Sequence, residues 1–383
     1  MPSSKRCVLA AVLFLAVFCL WLQPSWAASL AELIDKAPKG AGEGQIDPTK
    51  PAGFLGIPGA PNVNMVLTFF WAVWVGWIFS TVGAFGGVMA GVGHISVFGF
   101  GAYAKSFKKT APELNKMVTD SIRVSNQWLV GLSAAISSFN YYKMGRLVLP
   151  LGISLGLGSL LGSWLSVTLT AGKVSFSSYQ GYFGLFVLAL GCYLFYETTP
   201  RGQASKQKAK AASKAFEDTI KRQKSGECID TKCLGVRMTS FRPGRVDFTF
   251  YGVEFHFNPI IPVLGGVAIS AVAAFLGVGG GFLLVPFLTS VSGLPMYLAA
   301  GTSALAVLVG MVTSISTFMS GGVPIDWPLI GLELVGVVVG SVIGPRTSKY
   351  IPEVWLKRIF IILALYVGID YILRGFFDIK MFG

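Results

Sequence analysis

Gly277-Val278-Gly279-Gly280-Gly281-Phe282-Leu283-Leu284-Val285-Pro286 interrupts an apolar run, Pro259 to Leu288, that would otherwise read as one membrane helix. Four glycines in five positions, with a proline close behind, oppose a continuous helix. Each glycine costs roughly 1 kcal/mol relative to alanine in a helix interior, and proline roughly 3. A helix broken at membrane depth leaves N–H and C=O groups that lipid cannot satisfy, so the break must be enclosed by protein or line a watery cavity. Transporters build substrate sites this way, from half-helices whose ends turn backbone dipoles toward an ion. The alternative is that these glycines only let helices approach closely, as small-xxx-small pairs do.

The rest of the 383-residue chain fits a membrane: 53% of it is hydrophobic and only 13% charged. Lys and Arg outnumber Asp and Glu by 31 to 18, with the largest share of the excess in Arg201 to Lys224, between two apolar halves. That placement suits a cytoplasmic loop and not a nucleic-acid footprint. Among the cysteines, Cys228 and Cys233 stand with four residues between them in this polar loop, without the further ligands of a zinc site. With His94 and His256 the only histidines, multi-histidine metal chemistry is excluded. Gly340 to Thr347 carries Pro345-Arg346 where a phosphate loop needs Gly-Lys, which disfavours ATP-driven transport by this chain alone. No cofactor or metal is expected.

Six parts follow in order. Residues 1–28 read as a secretory signal or an uncleaved anchor: Lys5 and Arg6, an apolar stretch, then Ser25-Trp26-Ala27-Ala28. Residues 29–62 read as an external tail, 63–196 as a first membrane repeat, 197–258 as a basic cytoplasmic linker, 259–375 as a second membrane repeat and 376–383 as a C-terminal tail. Within the linker, Lys206 to Lys224 has helical composition suited to an anionic leaflet or to solvent. Val246 to Phe257 alternates apolar and polar around Tyr251-Gly252, the pattern of a small β-hairpin.

The two halves share landmarks. Gly91-Val92-Gly93-His94, in a second glycine-studded break, matches Gly277-Val278-Gly279-Gly280; Ser125-Asn126-Gln127 stands where Gly301-Thr302-Ser303 stands later. Gly158 to Ser163 matches Gly340 to Pro345. Three landmarks in one order predict a duplicated all-α polytopic protein with its site where the halves meet. With five crossings per half, Lys143 and Arg146 fall inside and the matched turn Gly321 to Asp326, without Lys or Arg, falls outside, so the halves are inverted. Lys105, Lys108, Lys109 and Lys116 then lie outside, against the charge rule.

The polar groups left at depth are mostly uncharged. The substrate-binding candidates are Gly91, Gly93, His94, Ser96, Ser125, Asn126, Gln127, Gly277, Gly279, Gly280, Gly281, Thr302 and Ser303. Backbone N–H groups at half-helix N-termini favour anions, and hydroxyl and amide groups donate to oxyanion oxygens. Arg123 is either the one full positive charge of the site or an interfacial arginine. His94 is either proton-linked or a buried neutral histidine. Glu333 and Asp370 are acidic residues within apolar spans, and Glu333, ahead of Gly336 and Gly340, is the proton-coupling candidate.

Gly277 to Gly281 with Pro286, then Gly301-Thr302-Ser303, and the weaker first-half copy resemble the TauE/SafE family of sulfite exporters and anion permeases. The resemblance covers roughly residues 65–196 and 259–375. It implies a duplicated secondary transporter of a small sulfur-containing oxyanion, sulfite or an organosulfonate, coupled to protons and exporting across the inner membrane. The first half departs from the family pattern, with His94-Ile95 in the place of two glycines and Phe100 in the place of proline. The expected partners are the small anion and the lipid bilayer, with no nucleic acid. The alternatives are an importer of sulfate or another small anion, and a membrane scaffold that recruits a partner through the basic linker.

Overall fold

A computed structural model describes residues 29–82, 85–145, 147–199, 236–242, 244–250, 253–291, 294, 296–347 and 353–379. The signal or anchor at 1–28, the helix-prone run Lys206 to Lys224, Cys228, Cys233 and Arg146 lie outside the described residues.

The chain forms a helical bundle that belongs in a membrane. Its longest element, α5 (Pro112–Lys143), follows from its ends: Pro112 pre-sets the first turn, Glu113 lies at the positive end of the dipole and Lys143 at the negative end. Its 32 residues span roughly 48 Å at 1.5 Å per residue. Unlike the apolar helices around it, α5 is lined with buried polar groups from Asn115 to Ser138. It is the polar spine of the molecule.

Around this spine stand α2 (Met65–Val82), α3 (Phe85–Val92), α4 (Phe100–Ser106), α6 (Leu149–Thr170) and α7 (Phe176–Thr198), after a short α1 (Leu30–Lys36). The later part supplies α8 (Ile260–Leu276), α9 (Gly281–Val291), α10 (Met296–Ser320), α11 (Trp327–Thr347) and α12 (Glu353–Phe376). Leu149–Thr170, Phe176–Tyr196, Leu298–Ser320 and Trp327–Gly344 are long and apolar enough to cross a bilayer, and Gly86–Val97 with Phe100–Ser106 makes a bent pair at 57°. Met65–Ser80 and Ile260–Leu276 are shorter apolar helices.

Three close helix pairs set the architecture, each along a row of glycines. Gly158 and Gly162 of α6 press on the α8 backbone at Val263 and Val267, where a Cβ would collide with carbonyl oxygens. Gly336 and Gly340 of α11 do the same on α2 at Phe69 and Val73. Gly184 of α7 meets Gly368 and Ile372 of α12. The matched glycine motifs of the sequence are thus contact rows that let backbones approach.

One end of the bundle gathers residues 29–62, the turn after Ser106, the turn at Gly172 and the start of α11. Gly44 faces Ser106 and Thr110, Leu55 N donates to Asp326 Oδ2 at 2.9 Å, and Gly172 N donates to Asp120 Oδ2 at 2.6 Å. Since α5 starts at this end, Lys143 lies at the other end from Asp326. Three of the four lysines that run against the charge rule have acidic partners: Lys105 and Lys108 meet Asp378 at 2.6 and 3.6 Å, and Lys116 meets Glu113 at 2.8 Å. Residues 29–62 are no loose tail, because Ile46, Phe54 and Ile57 are buried.

The chain also holds a small sheet, β1 (Val236–Arg242), β2 (Arg245–Phe250) and β3 (Val253–Phe257), antiparallel in that order. Val246, Phe248 and Phe250 point inward, and Asp247 pairs with His256 on the outer face. The alternation of residues 246–257 marks β2 and β3; β1 carries a register shift between Met238 and Ser240, and its pattern did not announce it.

Candidate functional site

The glycine stretch breaks the chain as its composition requires. Helix α8 ends at Leu276, Gly277, Gly279 and Gly280 take left-handed φ of 73°, 85° and 61°, and α9 begins at Gly281. Residues with a Cβ rarely adopt that region, which is why glycine stands there. The chain then doubles back, so that Gly265 faces Phe287 and Gly280 faces Ala273. Pro286 lies inside α9 and does not end it.

The tip of this hairpin is set against α5. A Cβ on Gly277 would stand 2.9 Å from Arg123 O and 3.3 Å from Asn126 Cβ. Gly277 N and Val278 N both donate to Ala273 O, and Leu283 N and Leu284 N to Gly280 O. Between them, the amides of Gly279, Gly280 and Gly281 have no backbone acceptor among the described residues. They form the positive end of α9.

The first-half break falls later than the sequence match suggests. Helix α3 runs through Gly91, Gly93 to Val97 form a π-helical turn, and the chain breaks at Phe98-Gly99, where Gly99 has φ 76°. Gly91 and Gly93 are helical because they fill tight contacts: a Cβ would collide with Phe183 at one and with Trp71 at the other. The wide turn carries His94 to the interior; such insertions often mark functional positions.

His94 is fully buried and joins three segments. Its Nδ1 lies within hydrogen-bond reach of Asn126 Oδ1 on α5, and its Nε2 is 3.1 Å from Glu333 Oε2 on α11. His94 and Glu333 side chains are each 1% exposed, and Glu333 Oε1 has no partner among the described residues. With the amide oxygen accepting from Nδ1–H, the proton between Nε2 and Glu333 has two seats, one on nitrogen and one on oxygen. The rings of Phe98 and Phe100 flank the imidazole, with centroids at 5.6 and 6.0 Å.

Helix α3, which leads into the first break, touches the second, since a Cβ on Gly87 would collide with Val278 O, and Asn126 faces both breaks, His94 on one and Gly277 on the other. On the side toward Lys143, a cavity of about 90 Å³ lies against Gly279 and Gly281 and is lined by Ser137, Tyr141 and Ser303. Ser303 is 3% exposed and donates to Ala300 O at 3.1 Å.

The other candidates divide. Asn126 and His94 are brought together, and Gln127 Nε2 donates to Ala274 O at 2.9 Å, pinning the end of α8 to α5. Ser125 is buried with its hydroxyl unpartnered among the described residues. Thr302 Oγ1 accepts from Val148 N at 3.2 Å and faces the start of α6, while Ser96 is exposed and bonded to Tyr371 OH at 2.7 Å, apart from the cluster. Arg123 is neither a free anion ligand nor interfacial. Fully buried, it donates to Asp120 Oδ1 at 2.7 Å, to Phe275 O at 2.9 Å and to Thr170 Oγ1 at 2.9 Å. It staples α5 to α6 and α8; a buried ion pair needs such full satisfaction. Asp370 is paired with Arg374 at 2.8 Å. Sequence reasoning does not reach Gly87, Ser137 or Tyr141: Gly87 is one glycine among several in α3, and nothing in the α5 sequence singles out Ser137 or Tyr141.

Comparison with known proteins places this arrangement. The family described as Sulfite exporter TauE/SafE matches residues 68–371. The probable membrane transporter protein YunE of Bacillus subtilis (strain 168) is 24% identical over 326 residues, covering 82% of this chain and all of the relative. A probable membrane transporter protein of Xylella fastidiosa (strain 9a5c) is 32% identical over 112 residues, covering 27% of this chain and 41% of the relative. No solved structure matches significantly.

Proposed function

Because the chain belongs to the TauE/SafE sulfite exporter family of membrane transporters, we propose that it is a secondary transporter that carries a small sulfur oxyanion, sulfite or an organosulfonate, out across the inner membrane. In this reading residues 29–62 face outward and the basic linker faces the cytoplasm. The anion docks at the amides of Gly279 to Gly281 with Ser303, and the His94–Glu333 pair beside that loop holds the coupling proton. The observation that carries the reading is the buried imidazole–carboxylate pair one residue layer from a glycine loop with unpaired amides.

The charge arithmetic gives the coupling its sign. Without a proton the pair bears a single negative charge and repels an anion; with one it is neutral. Anion and proton therefore bind together and travel in the same direction. A sulfite dianion with one proton carries a single net negative charge, which an inside-negative potential drives outward by about 2.3 kcal/mol per 100 mV. Each pH unit of an inside-alkaline gradient opposes this by about 1.4 kcal/mol.

The test is flux of labelled sulfite, sulfate and a small sulfonate in proteoliposomes with imposed potential and pH gradients, with Gly280→Leu as the control. Flux of one sulfur oxyanion, abolished by the substitution, is expected. Absence of flux of all three in well-incorporated protein overturns the reading.

A further inference from the structure

The family match begins at residue 68, yet residues 53–57 lie one ring away from the buried pair. Phe54, 2% exposed, stacks on Phe100 with ring centroids 3.9 Å apart and planes at 14°, and Phe100 in turn stacks on the His94 ring at 6.0 Å. Three rings thus form a column from the outer segment to the imidazole. The segment is tied to its own chain by Phe54 N, which donates to Pro61 O at 3.1 Å, and to α11 by a latch: Leu55 N donates to Asp326 Oδ2 at 2.9 Å, while Asp326 Oδ1 accepts from Leu329 N at 3.2 Å as the cap of α11. Asp326 lies seven residues before Glu333, two turns away on the same face of the same helix.

The latched conformation is a strained one with room beside it. Leu55 has φ 59°, a left-handed conformation that a γ-branched residue rarely adopts unless its surroundings impose it. Alongside lies a cavity of about 430 Å³ between residues 52–56 and the start of α11, lined by Pro61, Asn62, Trp327 and Pro328.

We infer that residues 53–57 are a stopper that closes the His94–Glu333 site from the end where residues 29–62 lie, held by the Asp326 latch and withdrawn in each transport cycle. The inference rests on the transport reading for its purpose and not for its geometry. The stopper is a segment of this chain outside the family match, so relatives lacking it would need another closure at this end.

The first test needs no substrate. In a cysteine-free background, Phe98→Cys places a thiol beside His94, and its labelling by a membrane-impermeant maleimide from the side of residues 29–62 reports access. Phe54→Ala and Asp326→Ala should each speed labelling about tenfold or more, and unchanged labelling in both overturns the stopper. A second test keeps the stopper sequence nearly intact: Leu55→Cys with Asp326→Cys, closed by oxidation, should stop sulfite flux, and a reductant should restore it. Flux that continues at the reduced rate through the closed bridge also overturns it. Faster labelling with no anion moved by any form, native chain included, leaves the stopper standing and removes the transport reading instead.

Discussion

Two glycine-rich breaks face Asn126 from either side and differ in what they present. The break at 277–281 is a bare loop: three left-handed glycines, amides without backbone acceptors and a cavity against them. The break at 93–99 is a wide helical turn whose business end is one side chain, His94, tied to Asn126 and Glu333. One region offers backbone dipoles and space, the other a titratable pair with no space. In the proposed transport cycle, that division lets the anion and the proton be held by different atoms.

The largest effect is expected where α3, the helix leading into the first break, presses on the second. Gly87→Leu would drive a side chain into the Val278 carbonyl, and overpacking of this kind costs about 1–3 kcal/mol. Flux should fall by about a hundredfold or more, with a lower melting temperature in detergent. Normal flux would mean that the contact between α3 and the second break does not matter.

A smaller change should affect only the anion side. Ser303→Ala removes a hydroxyl from the cavity, and a hydrogen bond to a charged group contributes about 1.5–3 kcal/mol. The expected result is a KM raised roughly 10- to 100-fold with the pH profile of flux unmoved. A shifted pH profile would show that the two breaks do not divide the work.

The smallest effect lies outside both breaks. The hydrogen bond from Lys105, first among its causes, holds the Asp378 carboxyl below its ordinary value of 3.8. A lowered carboxylate stabilises the fold above that ordinary value and ceases to do so as pH falls through the lowered one. Lys105→Ala should therefore cost no more than about 1 kcal/mol at neutral pH, since the pair is exposed, and less in strong acid, where only its hydrogen bond to Arg374 O at 2.8 Å remains to be lost. Melting curves at both pH values check the sign, and flux should be untouched.

What could be read from the sequence follows from which groups act locally. The loop at 277–281 was legible because glycine's backbone freedom is a local property, and four glycines in five positions leave few other uses. The glycine rows on α6 and α11 were legible as motifs, but which backbone each presses on was not. The His94–Glu333 pair spans 239 positions, and no periodicity connects its members. Asn126 and Arg123 stand three apart on α5, one an uncharged candidate and the other a candidate charge; only the fold turns one toward the imidazole and the other toward Asp120. The first break was placed a few residues early because Gly91 and Gly93 serve close packing, while Gly99, not singled out, takes the left-handed turn. The buried segment around Phe54 lacks helical periodicity and so read as a tail.

The central claim is that the His94–Glu333 pair carries the proton that moves with the anion. The most direct measurement follows labelled sulfite and internal pH together in proteoliposomes, for the native chain and for Glu333→Gln. The account predicts that protons follow sulfite in the same direction in the native protein and that Glu333→Gln passes sulfite down its own gradient without them. Proton movement in Glu333→Gln at the native ratio to sulfite would contradict it.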